Sequence, residues 1–206
     1  SVYSLMKYKS RAIALSYIKH GEGSIIAKLF TENKGLQSFI IKGVRSNNSK
    51  YKLGLFQPLE LLILNATYLP KKTLQHLTDI RLSNFQPSDK TNISKKFLFL
   101  FVAEVMSKVL QENESDKPLF IFIWQLKEKL ANTNLVNPNF ALTFLIDLSK
   151  YMGFQPLYKK EGGFFNLELA EFTNNSQKLN YYMNQENSLY FKALLKNQKI
   201  IIPYAN

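Results

Sequence analysis

Residues 20–52 read HGEGSIIAKLFTENKGLQSFIIKGVRSNNSKYK, and this stretch decides the fold. Two apolar runs, residues 25–30 and 36–41, are separated by five residues that end in Gly35. A five-residue connection closed by glycine is typical of a β-hairpin loop, because glycine readily adopts the left-handed backbone conformation that such loops need. The stretch therefore predicts two paired strands.

A polar and basic segment, residues 42–52, follows the second predicted strand. Lysine and arginine on such a loop can follow a phosphate backbone, and Tyr51 can stack on a base. Two alternatives stay open at this point. The segment can be an ordinary solvated loop of a β-barrel, and Tyr51 can instead close one end of that barrel.

Three further strands are predicted around the hairpin, over residues 11–18, 59–64 and 74–85, with a loop over residues 65–73. Residues 11–18 show the two-residue period of a strand. Five strands at this spacing favour a small closed barrel over a sandwich, which usually needs about seven strands. The specific prediction is an oligonucleotide-binding (OB) fold.

The hydrophobic period changes after Pro87, where apolar residues begin to recur at helical spacing. Helices are predicted over residues 93–112, 119–130, 139–152 and 189–195, and Gly162 with Gly163 predicts the turn of a short hairpin. The fold class is therefore α+β, with a five-stranded OB barrel in residues 1–88 and an α-helical domain in residues 89–206.

The charge of the chain points to a polyanion as its partner. The net charge is +12, and residues 1–90 carry 14 Lys/Arg against 5 Asp/Glu. Such a balance suits nucleic acid, an acidic protein segment or an anionic membrane. The helix predicted from residue 93 is apolar on too many faces for a membrane-surface helix. Nucleic acid bound by the N-terminal half is the favoured interpretation.

The residue types that are missing narrow the chemistry. The chain has no cysteine and only two histidines, His20 and His76, so it cannot form a disulfide, a cysteine-ligated zinc site or a histidine-rich metal site. No catalytic constellation is visible, and we expect a binding protein without a cofactor rather than an enzyme. No secretion-signal pattern is present, so the expected compartment is the cytoplasm.

Residues 11–62 contain a GE turn, LFTENKGL, a KGVR-type basic loop and LFQPLE, and residues 151–156 read YMGFQP. By these motifs, the N-terminal stretch over residues 11–62 resembles the RecO family of bacterial recombination mediators. The resemblance is looser at YMGFQP. It implies an OB barrel followed by a helical domain. It also implies binding of single- and double-stranded DNA, annealing of complementary strands, contacts with the acidic tail of single-stranded-DNA-binding protein and with RecR, and help in loading RecA.

Two departures from the family pattern affect what is expected. Many members carry four cysteines as a zinc module, which this chain lacks, so we expect that module to be reduced or replaced by residues 154–172. The sequence also stops at residue 206, where further helices are expected. A truncated chain and a short family member both explain this.

The predicted nucleic-acid site combines the basic loop with neighbouring lysines. Its members are expected to neutralise phosphates without reading sequence, because no rigid recognition helix is visible. They are Lys34, Lys42, Arg45, Lys50, Tyr51, Lys52, Lys71 and Lys72. An RNA- or ribosome-binding module on the same barrel is the alternative function.

A second expected site lies in the helical half. An acidic, aromatic-ended peptide should dock in an apolar groove rimmed by lysine. The candidate rim residues are Lys127, Lys129, Lys150, Lys159 and Lys160, and the sequence does not choose among them.

Overall fold

The computed structural model of the chain describes residues 6–44, 49–85, 93–112, 114–175 and 181–196. The chain forms two compact units, residues 1–134 and 135–206. Among the described residues, the first unit contains the barrel and two α-helices, and the second contains two α-helices and a small sheet. The domain boundary expected at residue 88 stays a prediction.

Five strands form a closed barrel in the first unit. They are β1 (Met6–His20), β2 (Ser24–Thr31), β3 (Gly35–Ile41), β4 (Leu61–Tyr68) and β5 (Leu74–Leu82). Their order around the barrel is β1-β2-β3-β5-β4, and all pairs are antiparallel except β3 with β5. This arrangement confirms the predicted OB barrel and the α+β class.

The barrel is filled by alternate residues of each strand. Small side chains at Ala12, Ala14 and Ala27 leave room for the large rings of Phe39 and Phe56, all of them fully buried. Alternation of small and large interior residues is how a narrow barrel reaches dense packing. The residues between them face outward, and this alternation decides which side chains reach a partner.

β1 joins both halves of the barrel. Its first half, from Met6 to Ile13, pairs with β4, and its second half, from Ala12 to His20, pairs with β2. The strand is therefore longer than the eight residues expected from the apolar pattern. Its polar first residues form hydrogen bonds with β4. Such pairing cannot be recognised from the spacing of apolar residues.

The predicted loop over residues 65–73 is wrong in its first half. β4 continues to Tyr68, and Asn65 and Ala66 pair with Lys9 and Tyr8 of β1. The reason is that Ala66 is buried in the barrel while its polar neighbours face outward, which is strand alternation with small and polar residues. Only residues 69–73 form the connection to β5.

Two helices complete the first unit, α1 (Ile93–Val109) and α2 (Lys117–Asn132). Asp116 caps α2 by accepting a hydrogen bond from the Leu119 N–H at 2.9 Å, and Pro118 lies in the first turn as predicted. Phe120 of α2 packs edge-to-face on Phe30 of β2, with ring centroids 5.3 Å apart. α2 is thus anchored on the outside of the barrel.

The second unit contains α3 (Phe140–Tyr151), β6 (Phe164–Asn166), β7 (Glu171–Thr173), β8 (Tyr182–Met183) and α4 (Gln185–Leu195). The predicted hairpin turn at Gly162 and Gly163 is wrong, because β6 follows these glycines and the turn to β7 lies at residues 167–170. α4 begins earlier than expected, since Asn184 caps it by accepting from the Asn187 N–H.

A lysine and an aromatic cluster stabilise the part of the second unit that was expected to replace a zinc module. The Lys192 ammonium donates to the carbonyls of Lys160, Glu161 and Gly162 at 2.8, 3.2 and 2.6 Å. Beneath it, Phe165 and Phe172 pack edge-to-face at 4.9 Å. Hydrogen bonds and ring packing hold residues 160–173 together.

Candidate nucleic-acid interface

The parallel pairing of β3 with β5 builds the outer face on which the candidate site lies. Ser38 and Ile40 of β3 are in register with Leu74 and His76 of β5. Phe39 is part of the barrel core, so Ser38, Ile40 and the following Lys42 point to the outside. The face therefore mixes apolar side chains with basic ones.

Gln75 fixes the loop that carries two further lysines. It is 1% exposed, its Oε1 accepts from the Leu69 N–H at 2.9 Å, and its Nε2 donates to the carbonyls of Leu69 and Lys72 at 3.0 and 2.6 Å. The buried amide thus replaces the backbone partners that a five-residue loop lacks. Lys71 and Lys72 are presented from a loop with a defined shape.

A depression of about 470 Å³ lies on this face. It is lined by Ile40, Lys42, Lys71, Lys72, Thr73, Leu74 and His76. Among the described residues no aspartate or glutamate lines it. The structure therefore brings together three of the predicted residues, Lys42, Lys71 and Lys72, around one concave surface that suits an anion.

Lys50 and Tyr51 lie further along β5. The Lys50 ammonium is 3.3 Å from the Asp79 carboxylate and 4.9 Å from the centroid of the Tyr51 ring. Its hydrogen bonds with Tyr51 and Asp79 raise the pKa of Lys50 above the ordinary value of 10.5. Lys50 is thus charged but shares that charge with a carboxylate, which weakens its attraction for a phosphate.

The Tyr51 ring packs against the barrel core, and its hydroxyl donates to the Thr78 carbonyl at 3.2 Å. These contacts hold the ring on the barrel core, and its closing of one end of the barrel stays a prediction. Its role in stacking stays a prediction.

The remaining predicted residues are placed apart from the depression or lie outside the described part of the chain. Lys34 sits in the β2–β3 turn with its ammonium 4.6 Å from the centroid of the Tyr68 ring. Lys52 is exposed just before the short 3-10 helix Leu53–Phe56. Arg45 lies outside the described residues.

Two basic residues of this face were missed by the sequence reasoning, His76 and Lys28. His76 is exposed and lines the depression. Lys28 is paired with Ser38 across β2 and β3, and its neighbours Ala27 and Leu29 are in the core, so Lys28 points outward. Strand alternation would have identified Lys28, but the position of His76 depends on the β3–β5 pairing.

The candidate rim lysines of the helical half have different environments. Lys127 is buried, with its ammonium 3.6 Å from the centroid of the Phe99 ring, and it does not form a rim. Lys150 and Lys159 pair with Asp147 and Glu171, at 2.7 and 2.9 Å. The other two, Lys129 and Lys160, are exposed.

Within the part of the chain that the structure describes, no group of three His, Cys, Asp or Glu side chains is arranged to hold a metal ion. No helix in the same ranges is both long and apolar enough to cross a bilayer.

Comparison with known proteins shows two matching family models. Recombination protein O N terminal matches residues 6–85, and Recombination protein O C terminal matches residues 91–164. The first match covers the barrel described above.

Curated relatives give the same family. The chain is 32% identical over 152 residues to the DNA repair protein RecO of Flavobacterium johnsoniae and to that of Christiangramia forsetii, covering 73% of this chain and 64% and 63% of those proteins. It is 30% identical over 170 residues to the DNA repair protein RecO of Flavobacterium psychrophilum, covering 82% of this chain and 71% of that protein. The chain thus spans about two thirds of the length of these relatives.

Proposed function

This chain belongs to the RecO family, and from that membership we propose that it is a DNA-binding mediator of recombinational DNA repair. It binds single- and double-stranded DNA and anneals complementary strands. It helps to displace single-stranded-DNA-binding protein so that RecA can load, with RecR as a partner. The proposal involves binding alone, without a catalytic step or cofactor, in the cytoplasm at the nucleoid.

The observation that carries the proposal is the depression on the β3–β5 face. Lys42, Lys71 and Lys72 surround it, and its lining also provides apolar surface from Ile40 and Leu74. Lysines neutralise phosphates and release counterions, whereas apolar surface can contact a sugar or the face of a base. This combination suits a strand whose bases are exposed.

Annealing follows from phosphate contacts that do not read sequence. A surface that neutralises backbone charge lowers the repulsion between two strands and leaves the edges of the bases free to pair. The depression provides point charges on flexible lysine side chains rather than a rigid fork of base-reading donors. We therefore expect similar affinities for unrelated sequences.

The tail of single-stranded-DNA-binding protein is proposed to dock in the second unit. A groove of about 460 Å³ there is lined by side chains of α3 and α4, among them Leu142, Leu145, Phe191 and Leu194. An acidic, aromatic-ended peptide would place its ring among these apolar side chains. Lys150 directly follows Ser149 of the groove lining and is the proposed partner of the peptide's carboxylates, which would take the place of its exposed ion pair with Asp147.

The test is a strand-annealing assay on complementary strands coated with single-stranded-DNA-binding protein. We expect the chain to accelerate annealing, and Lys42→Ala with Lys72→Ala to slow it by about fivefold or more, because two phosphate contacts are lost. Lys96→Ala with Lys108→Ala removes the same charge from exposed positions of α1 that belong to neither proposed site and should leave the rate unchanged.

Absence of acceleration by the unmodified chain at saturating concentration would contradict the proposal. The alternative, an RNA- or ribosome-binding module, predicts tighter binding of RNA than of DNA of equal length, together with no annealing activity. Measuring the affinities for RNA and for DNA of equal length in the same buffer, together with the annealing rate, separates the two functions.

A further inference from the structure

We infer that His76 is a further contact for the bound phosphate and that it makes the affinity for DNA depend on pH. This inference rests on the proposed function, because it concerns the same depression. His76 is one of only two histidines in the chain. It was not among the residues expected to bind nucleic acid.

The position of His76 is fixed by its two neighbouring strands. It is in register with Ile40 of β3 on one side and with Thr67 of β4 on the other. Its neighbour Gln75 is buried under the loop, so the imidazole of His76 points outward, where it is exposed and lines the depression. A strand position of this kind holds the ring beside the lysines.

The charged groups around His76 are mostly positive. Lys42 follows β3, and Lys71 and Lys72 lie in the loop before β5, all three lining the same depression. On the neighbouring strands, Lys7 of β1 is paired with Thr67 of β4, and Lys28 of β2 is paired with Ser38 of β3.

Two carboxylates lie near this surface, and both have other partners. Glu112 accepts a hydrogen bond from Ser38 Oγ at 3.1 Å. Asp79 lies three residues along β5 and is paired with Lys50 at 3.3 Å. Neither lines the depression, so an incoming phosphate is the anion best placed to pair with the imidazolium.

The chemistry of histidine turns this geometry into a pH dependence. Histidine side chains ordinarily change charge between pH 5 and 8. A phosphate in the depression favours the charged ring over the neutral ring, because opposite charges attract. Binding of DNA therefore takes up a proton at His76, and affinity rises as pH falls. Lysine side chains ordinarily carry their charge throughout this range and add no such dependence.

The expected size of the effect is that of one added phosphate contact. We expect the full chain to bind a single-stranded oligonucleotide about three- to tenfold more tightly at pH 5.5 than at pH 8. The dependence should not exceed a tenfold change in affinity per pH unit, since a single proton is taken up.

The experiment measures the affinity of the full chain for a rhodamine-labelled oligothymidine 20-mer by fluorescence anisotropy from pH 5.5 to pH 8.5 at constant ionic strength. Thymine does not take up a proton in this range, so any proton uptake comes from the protein. The variants are His76→Gln, which keeps a polar side chain without the charge change, and His76→Lys, which carries a permanent charge. His20→Gln, at the exposed end of β1, is the matched control.

We expect His76→Gln to bind equally well at all pH values, with the unmodified chain's affinity at pH 8, and His76→Lys to bind tightly throughout. His20→Gln should keep the pH dependence of the unmodified chain. The same pH dependence in His76→Gln would overturn the inference while leaving the proposed function intact. No binding by the unmodified chain at low salt and pH 7 would overturn the proposed function itself.

Discussion

Gly35 shows how one residue ties the barrel to the chain segment between α1 and α2. Its φ is +66°, and a Cβ placed there would run into the backbone of Glu114. The turn before it is closed by the Thr31 hydroxyl, which donates to the Gly35 carbonyl at 2.8 Å and accepts from the Lys34 N–H at 3.1 Å. Only a residue without a side chain satisfies both the conformation and the close contact.

Gly35→Ala should destabilise the protein by about 3 kcal/mol or more, because it adds a collision to the strain of a left-handed alanine. Gly21→Ala is the matched control, since Gly21 has φ +60° and nothing within 4 Å of its would-be Cβ. The control substitution should lower the free energy of unfolding by only about 1 to 2 kcal/mol. Urea unfolding at pH 7 measures both, and equal losses would show that the Glu114 contact is unimportant.

Arg11 links β1 to the β2–β3 turn and to α2. Its Nε and Nη2 donate to the two carboxylate oxygens of Glu32, both at 2.9 Å, and its guanidinium lies 4.9 Å from the Trp124 ring. The hydrogen bond from Arg11 holds the pKa of Glu32 below its ordinary value of 4.5, although partial burial opposes this. A bidentate pair of this kind is more rigid than a single contact.

The Arg11–Glu32 pair should stabilise the fold only where Glu32 is ionised. Because the pKa is lower in the folded chain than in the unfolded one, the contribution is present above pH 4.5 and is lost as pH falls further. Glu32→Gln should therefore lower the free energy of unfolding by about 1 kcal/mol at pH 7 and by less at pH 3. Urea unfolding at both pH values checks this, with Glu22→Gln in the exposed β1–β2 turn as control. A loss at pH 3 as large as that at pH 7 would contradict the assignment.

At the scale of elements, α1 and α2 pack around a buried lysine. Lys127 is 6% exposed, and burial lowers its pKa to about 8, against a smaller opposing effect of Glu60. Its ammonium lies on the face of Phe99 from α1, 3.6 Å from the ring centroid. A charge in this position is tolerated rather than favoured, since the aromatic face replaces only part of its hydration.

Lys127→Met should raise stability at pH 7 by about 1 to 3 kcal/mol, because it removes the cost of burying a charge and keeps a similar volume. In the unmodified chain, the unfolded state binds more protons between pH 8 and 10.5, so stability should rise over that range. The variant should not show this rise. Lys129→Met on the exposed side of α2 is the control, and urea unfolding at pH 7 and 10 is the measurement. A loss of stability at pH 7 would show that the ammonium has a favourable partner.

The secondary-structure elements also show which parts of the fold could be predicted from the sequence. The hairpin of β2 and β3 was predicted because two apolar runs and the glycine-closed loop between them agree locally. The extension of β4 to Tyr68 was not, because Ala66 is a core residue too small to stand out among polar neighbours. The turn of the β6–β7 hairpin was misplaced because a Gly-Gly pair suggested a turn where the structure has the approach to a strand.

At the scale of the whole molecule, the candidate site depends on contacts between distant parts of the chain. Lys42 was expected from the basic loop, and Lys71 and Lys72 from their charge and their place in a predicted loop. That these three surround one depression follows from the parallel pairing of β3 with β5, which joins residues more than thirty positions apart. Parallel pairing leaves no local pattern, and for this reason His76 was overlooked.

We propose that three lysines of the barrel act as one surface, rather than the residues of the basic loop acting alone. Lys42, Lys71 and Lys72 line the depression, whereas Lys50 is paired with Asp79 and Tyr51 packs against the core. If total charge alone drove binding, any three exposed lysines would contribute equally. If the depression holds the phosphates, its own lysines dominate.

The salt dependence of DNA binding tests this claim most directly. Fluorescence anisotropy with a single-stranded oligonucleotide from 50 to 300 mM salt compares Lys42→Ala/Lys71→Ala/Lys72→Ala with Lys108→Ala/Lys129→Ala/Lys160→Ala, which removes the same charge from exposed positions elsewhere. We predict that the first variant lowers the slope of log affinity against log salt by about two, at roughly 0.7 per lost phosphate contact, and that the second leaves it unchanged. Equal slopes for the two variants would contradict the assignment of the depression as the DNA site.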